Sequence, residues 1–152
     1  MKKFLIIFIV IGLTACGGSK KEEKSTTDST TTKEEVVKVP DVVKDAFAKA
    51  YPKATNAVWE EEKGNYEVEF DIEGAKASAK YSASGSFTES ETNIDPANLP
   101  DAAKKYCADN LAGKEIKEAS KMVDGYNVVK YKAEVDGADY IFFDDGEFHY
   151  KE

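Results

Sequence analysis

The stretch "NYEVEFDI", residues 65–72, puts Tyr66, Val68, Phe70 and Ile72 on one side of an extended chain and Asn65, Glu67, Glu69 and Asp71 on the other. Successive side chains of a strand point to opposite faces, so this alternation describes a strand with one face in a core and one in water. Sheets wetted on one face are antiparallel as a rule. The next stretch, "KASAKY", residues 76–81, continues the pattern with Ala77, Ala79 and Tyr81 inward and Lys76, Ser78 and Lys80 outward. Gly64, Gly74 and Gly85 punctuate the region at the intervals expected of meander turns. A first strand is read around Trp59 in "NAVWEEE" and a short fourth in "SFTESE".

Further along, "EIKEASKM", "YNVVKYKAEV", "ADYIFF" and "EFHYK" read as four more strands, with turns at "VDG", Asp136–Gly137 and "DDG". Ahead of each set stands a helical segment. "VPDVVKDAFAKAY" begins at Val39 and "LPDAAKKYCADNL" at Leu99, so Pro40 and Pro100, and Asp41 and Asp101, match at an offset of 60 residues. Proline is suited to the first helical turn, where an N–H has no partner. Val43, Ala46, Phe47, Ala50 and Tyr51 share one helical face, and Ala103, Tyr106, Cys107 and Leu111 form a weaker copy. Cys107 takes the slot of Phe47, which makes it a buried structural thiol. The expected fold is α+β: two tandem repeats, residues 36–95 and 96–152, each one helix packed on a four-strand antiparallel meander, because neither element buries its apolar face alone.

The order VPxxVxxAFxxxYPxAxxxxWE, then G-x-Y-x-V-x-F, then a glycine-terminated meander, resembles the PepSY-like, beta-lactamase-inhibitor-like family of bacterial envelope proteins. Pro40, Val43, Phe47, Tyr51, Pro52, Ala54, Trp59, Tyr66, Val68 and Phe70 carry the match, and the second unit departs from it at Cys107 and at Leu111–Ala112. The resemblance implies the fold. The inhibitor name of that family rests on fold similarity and assigns no activity.

The N-terminus reads differently. Lys2 and Lys3 precede the apolar run "FLIIFIVIGL", residues 4–13, and small Thr14 and Ala15 lead to Cys16. Basic, apolar and small in that order is the plan of a secretory signal. The run is half of the roughly 20 residues that a spanning helix needs. "LTAC" resembles the lipobox of bacterial lipoproteins, which implies that residues 1–15 are removed and Cys16 is acylated. Several acyl chains anchor a protein stably where one does so marginally. Residues 16–35 follow as a tether without an apolar side chain after Cys16, too polar to bury a core. With Gly17 after Cys16, the resemblance places the anchor in the outer membrane of a Gram-negative envelope, facing the periplasm or the surface.

Composition narrows the function. The chain has 29 acidic residues against 21 basic ones, a formal charge of −8, and every basic residue is a lysine. Nucleic-acid binding needs a basic surface, and arginine is the usual reader of phosphate, so nucleic acid is excluded as a partner. One histidine, His149, follows an inward Phe148 and should point outward, and no Gly-x-Ser-x-Gly elbow occurs. One histidine and one available cysteine cannot build a zinc site. "DIEG" and "DDGE" set carboxylates beside glycine without completing a calcium loop, and read as turns.

No catalytic residue, metal ligand or cofactor is assigned. The remaining candidate is a sheet face bearing Glu67, Glu69, Asp71, Lys76 and Lys80, either solvated or a binding platform, with Tyr126, Tyr140 and Tyr150 as anchors if they are not core. The expected function is a lipid-anchored, non-catalytic envelope module. It binds a protein or peptide, with regulation or inhibition of an envelope protease as one version. The rival reading is a periplasmic calcium-binding protein or enzyme built on acidic clusters.

Overall fold

The computed structural model describes residues 37–152. Cys16, the signal segment and the tether expected from the sequence lie outside the described residues. The described chain begins with helix α1 (Asp41–Ala50), followed by strands β1 (Thr55–Glu62), β2 (Asn65–Ile72), β3 (Ala75–Ser82) and β4 (Phe87–Ile94). A 3-10 turn (Pro96–Asn98) leads to α2 (Asp101–Asn110), then β5 (Ile116–Asp124), β6 (Val129–Val135), β7 (Ala138–Phe143) and β8 (Phe148–Lys151). All eight strands form one antiparallel sheet in the order β1-β2-β3-β4-β5-β6-β7-β8.

That sheet corrects the expected fold class. The sequence reading places two tandem helix-plus-meander units side by side. The chain instead folds as one mostly β body in which β4 pairs with β5, from Glu89 opposite Asp124 to Ile94 opposite Ala119. The physical reason is edge satisfaction. Two separate four-strand sheets would leave four edges of unpaired N–H and C=O groups, whereas joining β4 to β5 leaves two. Local alternation in a sequence describes each strand but says nothing about which edges meet.

Each helix starts without a side-chain cap. The Pro40 carbonyl accepts from Val43 and Lys44 N–H at 3.0 and 3.2 Å, and the Pro100 carbonyl from Lys104 N–H at 3.1 Å. Asp41 and Asp101 put a negative charge in the first turn, where the helix dipole favours it. Val43 and Phe47 are buried beneath α1, while Ala46 and Tyr51 are half-buried. Ala50, expected on the same face, is exposed, because the helix ends there and Tyr51 covers the core in its place. Under α2 the buried residues are Ala103 and Cys107.

The helices define one covered side of the sheet. Two apolar clusters lie there. The first joins Val43 and Phe47 to Val68, Phe70, Ala77, Ala79 and Tyr81, with Trp59 and Phe87 against it. The second joins Leu99, Ala103 and Cys107 to Ala119, Ala133, Val135 and Phe142. Two turns press onto the helix starts. Gly85, at φ +82°, leaves only 2.9 Å between the place of a Cβ and the Val42 carbonyl oxygen. Gly146, at φ +88°, leaves 2.8 Å to Pro100 Cβ and 2.9 Å to the Ala103 nitrogen. β6 begins later than its sequence suggests. Asp124 Oδ1 accepts from Tyr126 and Val128 N–H, both at 2.9 Å, and holds that segment as a turn.

Candidate functional site

No helix covers the other side of the sheet, and its surface follows from register. In the β2–β3 pair Glu67 stands opposite Lys80, Glu69 opposite Ser78 and Asp71 opposite Lys76. All five candidate residues therefore share this helix-free face. β1 adds Glu60 and Glu62, opposite Glu67 and Asn65. β4 adds Glu89 opposite Lys80 and Glu91 opposite Ser78. Over β1–β4 the face thus carries seven carboxylates, Glu60, Glu62, Glu67, Glu69, Asp71, Glu89 and Glu91, against Lys76 and Lys80. Each helix, in contrast, carries two Asp and two Lys, so the acidity belongs to the sheet.

The charges are organised as well as numerous. Lys80 Nζ lies 3.2 Å from Glu89 Oε1, and Lys76 Nζ lies 2.5 Å from Asp71 Oδ1. Burial works against the charge of Lys80, yet Glu89, Glu67 and Glu91 outweigh it and raise its pKa. Asp71 is held below the usual carboxylate range by a 2.6 Å hydrogen bond from Asn56 Nδ2 and by Lys76. Glu69 is the opposite case. Partial burial, then repulsion from Glu60 and Glu67, push its pKa up. Negative charge is crowded at Glu69, with no lysine directly across from it.

Beyond β4 the same face changes character. Met122 stands opposite Glu91, Lys130 opposite Met122, and Phe143 opposite Lys130. In the adjoining row Ser120 faces Lys132, Lys132 faces Ile141, and Ile141 faces Tyr150. Ser120 and Ile141 are 1% and 2% exposed although no helix lies over them. On this face a Lys132–Glu91 ion pair reaches across β5, beside Ser120 and Ile141, the residues that stand opposite Lys132. Glu89 on β4 and Tyr150 on β8 line one cleft of about 100 Å³ with Met122, Val128 and Lys130. Four strand spacings on a flat sheet would separate them by about 19 Å, so the sheet curls toward this side.

Sequence reasoning reached the five polar residues but missed Glu89, Glu91, Met122, Lys132 and Ile141. Strand β4, "FTESETNI", carries too few apolar residues for its alternation to be read, so only its pairing reveals the face. Of the three tyrosines weighed as anchors, Tyr126 is 90% exposed on a turn, Tyr150 is on the helix-free face, and Tyr140 packs in the second core. His149 is exposed, with its ring 4.3 Å from that of Phe143 and 4.7 Å from that of Tyr150. Cys107 is buried, and burial pushes its thiol pKa up, away from thiolate chemistry. Among the described residues no three His, Cys, Asp or Glu side chains come together as a metal site. The acidic-cluster calcium reading therefore draws no support from them.

The fold recurs in solved structures. One is a protein of Bacteroides eggerthii described as periplasmic, with a TM-score of 0.70 at 17% identity over 76% of this chain and 89% of that one. Another is a DUF2874 family protein of Bacteroides uniformis, with a TM-score of 0.68 at 17% identity over 74% and 88%. A BLIP-like protein of Bacteroides fragilis gives 0.66 at 18% identity over 76% and 86%. At these identities the likeness is one of fold, and it matches the beta-lactamase-inhibitor-like architecture that the sequence resembles. No protein-family model and no curated protein matches the chain.

Proposed function

We propose that this chain is a non-catalytic binding module of the bacterial cell envelope that takes a protein or peptide partner on the helix-free face of its sheet. The observation that carries this reading is the division of labour between the two sides of the sheet. One side is filled by two helices. The other combines ion pairs, a carboxylate without a cation opposite, and a small cleft where Met122, Val128 and Tyr150 meet Glu89 and Lys130, within a curl. Interfaces favour such a mixture of aromatic or Met anchors with a charged surround. Among the described residues the thiol is buried and the histidine lies against aromatic rings on an open strand.

The envelope location is supported by the order of residues 1–16 and by the periplasmic description of a protein with the same fold. Among the described residues no helix is long and apolar enough to cross a membrane. Attachment is assigned to a lipidated Cys16 and its tether on the lipobox resemblance of "LTAC", with the outer membrane as the anchor's site. Regulation or inhibition of an envelope protease is the version of the function that the family resemblance suggests.

Site-specific photo-crosslinking tests the reading. A photoreactive residue at position 69 or 130, on the helix-free face, should give a discrete adduct in intact envelopes, while one at position 44 or 105, on the helices, should give none. Adducts of equal yield from both sides overturn it. Intact mass of the detergent-extracted protein tests the anchor: an N-terminal Cys16 carrying acyl mass is expected, and Cys16→Ala should release the protein from the membrane fraction.

A further inference from the structure

The helix-free face is not uniform along its length, and that gradient specifies a partner. One register row crosses most of the sheet: Glu69, Ser78, Glu91, Met122, Lys130, Phe143. Its β2–β4 end is acidic and its β5–β7 end has the apolar Met122 and Phe143. We infer that the partner presents an extended basic segment to this row, with Lys or Arg over Glu69 and Glu91 and an apolar side chain over Met122. This rests on the assignment of the helix-free face as the binding surface.

Three observations support it. The first is charge complementarity. On the β1–β4 end of the face Asp71, Glu89 and Glu91 pair with Lys76, Lys80 and, from β6, Lys132. Glu60, Glu67 and Glu69 crowd together beside them, so this end keeps a net negative charge, while the helices carry equal numbers of each sign. Such a field repels acidic partners and speeds the arrival of basic ones. The second is crowding at Glu69. Its carboxylate is raised in pKa by burial and by Glu60 and Glu67, and an incoming cation relieves that repulsion.

The third observation is Ser120. Its hydroxyl is 1% exposed and without a hydrogen-bond partner among the described residues, on the same face and directly opposite Lys132. Lys132 reaches across β5 to Glu91. A guanidinium that takes Glu91 frees Lys132 to move, and a donor then reaches the unsatisfied oxygen. Leaving a buried hydroxyl unpaired is unfavourable, so the bound state gains what the free protein lacks.

The spacing is also set. Glu69 and Met122 are three strands apart, about 14 Å. An extended chain rises about 3.3 Å per residue, so basic and apolar contacts fall about four residues apart.

The test uses three fluorescein-labelled peptides of nine residues and fluorescence anisotropy on the lipid-free folded protein. The first carries Phe-Leu and, four residues on, Arg-Arg. The second replaces Arg-Arg with Glu-Glu. The third replaces Phe-Leu with Ser-Ser. The first should bind at least tenfold more tightly than either of the others and weaken steeply with salt. Glu67→Lys with Glu69→Lys should cost it more than tenfold, while Asp41→Lys with Asp45→Lys on α1, the same change in net charge, should cost it less than twofold. Thermal melts check that every variant is folded.

If the first two peptides bind equally and Met122→Asp weakens both, the face stands as a binding surface and the basic partner falls. If the first peptide binds and neither the Glu67/Glu69 pair nor Met122→Asp weakens it, the assignment of the face falls too. No binding of any peptide at millimolar concentration overturns the inference.

Discussion

The two halves of the sheet are built in the same element order but filled differently. Under α1 the core is aromatic. The Phe47 ring lies 5.6, 5.4 and 5.0 Å from the rings of Tyr51, Trp59 and Phe70, and Tyr81 packs against Phe87 at 5.9 Å. Under α2 small residues dominate, with Ala103, Cys107, Ala119 and Ala133 buried beside Phe142. Tyr106 and Phe148 stack at 4.5 Å and close that half at its edge. The helix-free faces differ in the opposite sense. The aromatic half carries the acidic surface, and the small-residue half carries Met122, Ile141 and Tyr150. A half with a large core can hold repelling carboxylates on its outer face. A half with a thin core gains from burying Ile141 on the far side as well.

The comparison can be broken first at the helix slots. Phe47→Ala removes the ring shared by three aromatic contacts and should cost about 3–5 kcal/mol, whereas Cys107→Ala in the matching slot should cost about 1 kcal/mol. Urea melts of both variants check this. Similar losses would mean that the second core matters as much as the first.

Next comes the turn that presses on α2. Gly146→Ala adds a Cβ within 2.8 Å of Pro100 and must keep φ near +88°. A loss of about 2–3 kcal/mol is expected. In a domain of this size that lowers the melting midpoint by roughly 10 °C. Gly137→Ala, at φ +77° with open space around it, should cost less.

The smallest effect at neutral pH belongs to Tyr81. Its hydroxyl is buried without a hydrogen-bond partner among the described residues, so Tyr81→Phe should be neutral or slightly stabilising at pH 7. Burial, with a lesser contribution from Tyr51, pushes its pKa up to about 12 from 10.0. A folded-state value above the unfolded one gives stability that is complete below pH 10 and lost as pH rises from 10 toward 12. Alkaline melts should therefore fall through that window in the native protein and fall less in Tyr81→Phe.

Much of the folded body was legible residue by residue. Alternation in "NYEVEFDI" and "KASAKY" assigned Tyr66, Val68, Phe70, Ala77, Ala79 and Tyr81 to the core, and all six are buried. The slot shared by Phe47 and Cys107 placed the thiol beneath a helix. Alternation also put Glu67, Glu69, Asp71, Lys76 and Lys80 on one face, because strands joined by tight turns have little freedom in register. The second half was harder. β8 is four residues long, and β7 buries Ile141 and Phe142 on opposite faces, which hides the period that marks a half-buried strand.

The sequence by itself determined the strands, the two helices, the excess of acid and the buried thiol, since each follows from short-range spacing or from composition. The tertiary structure alone decided that β4 joins β5 into one sheet, that the sheet curls, and that Glu69, Glu91, Met122 and Phe143 fall on one row. Those outcomes depend on pairing between residues far apart in the chain. Edge satisfaction and the burial of opposite faces select that pairing, and neither leaves a local mark on the sequence.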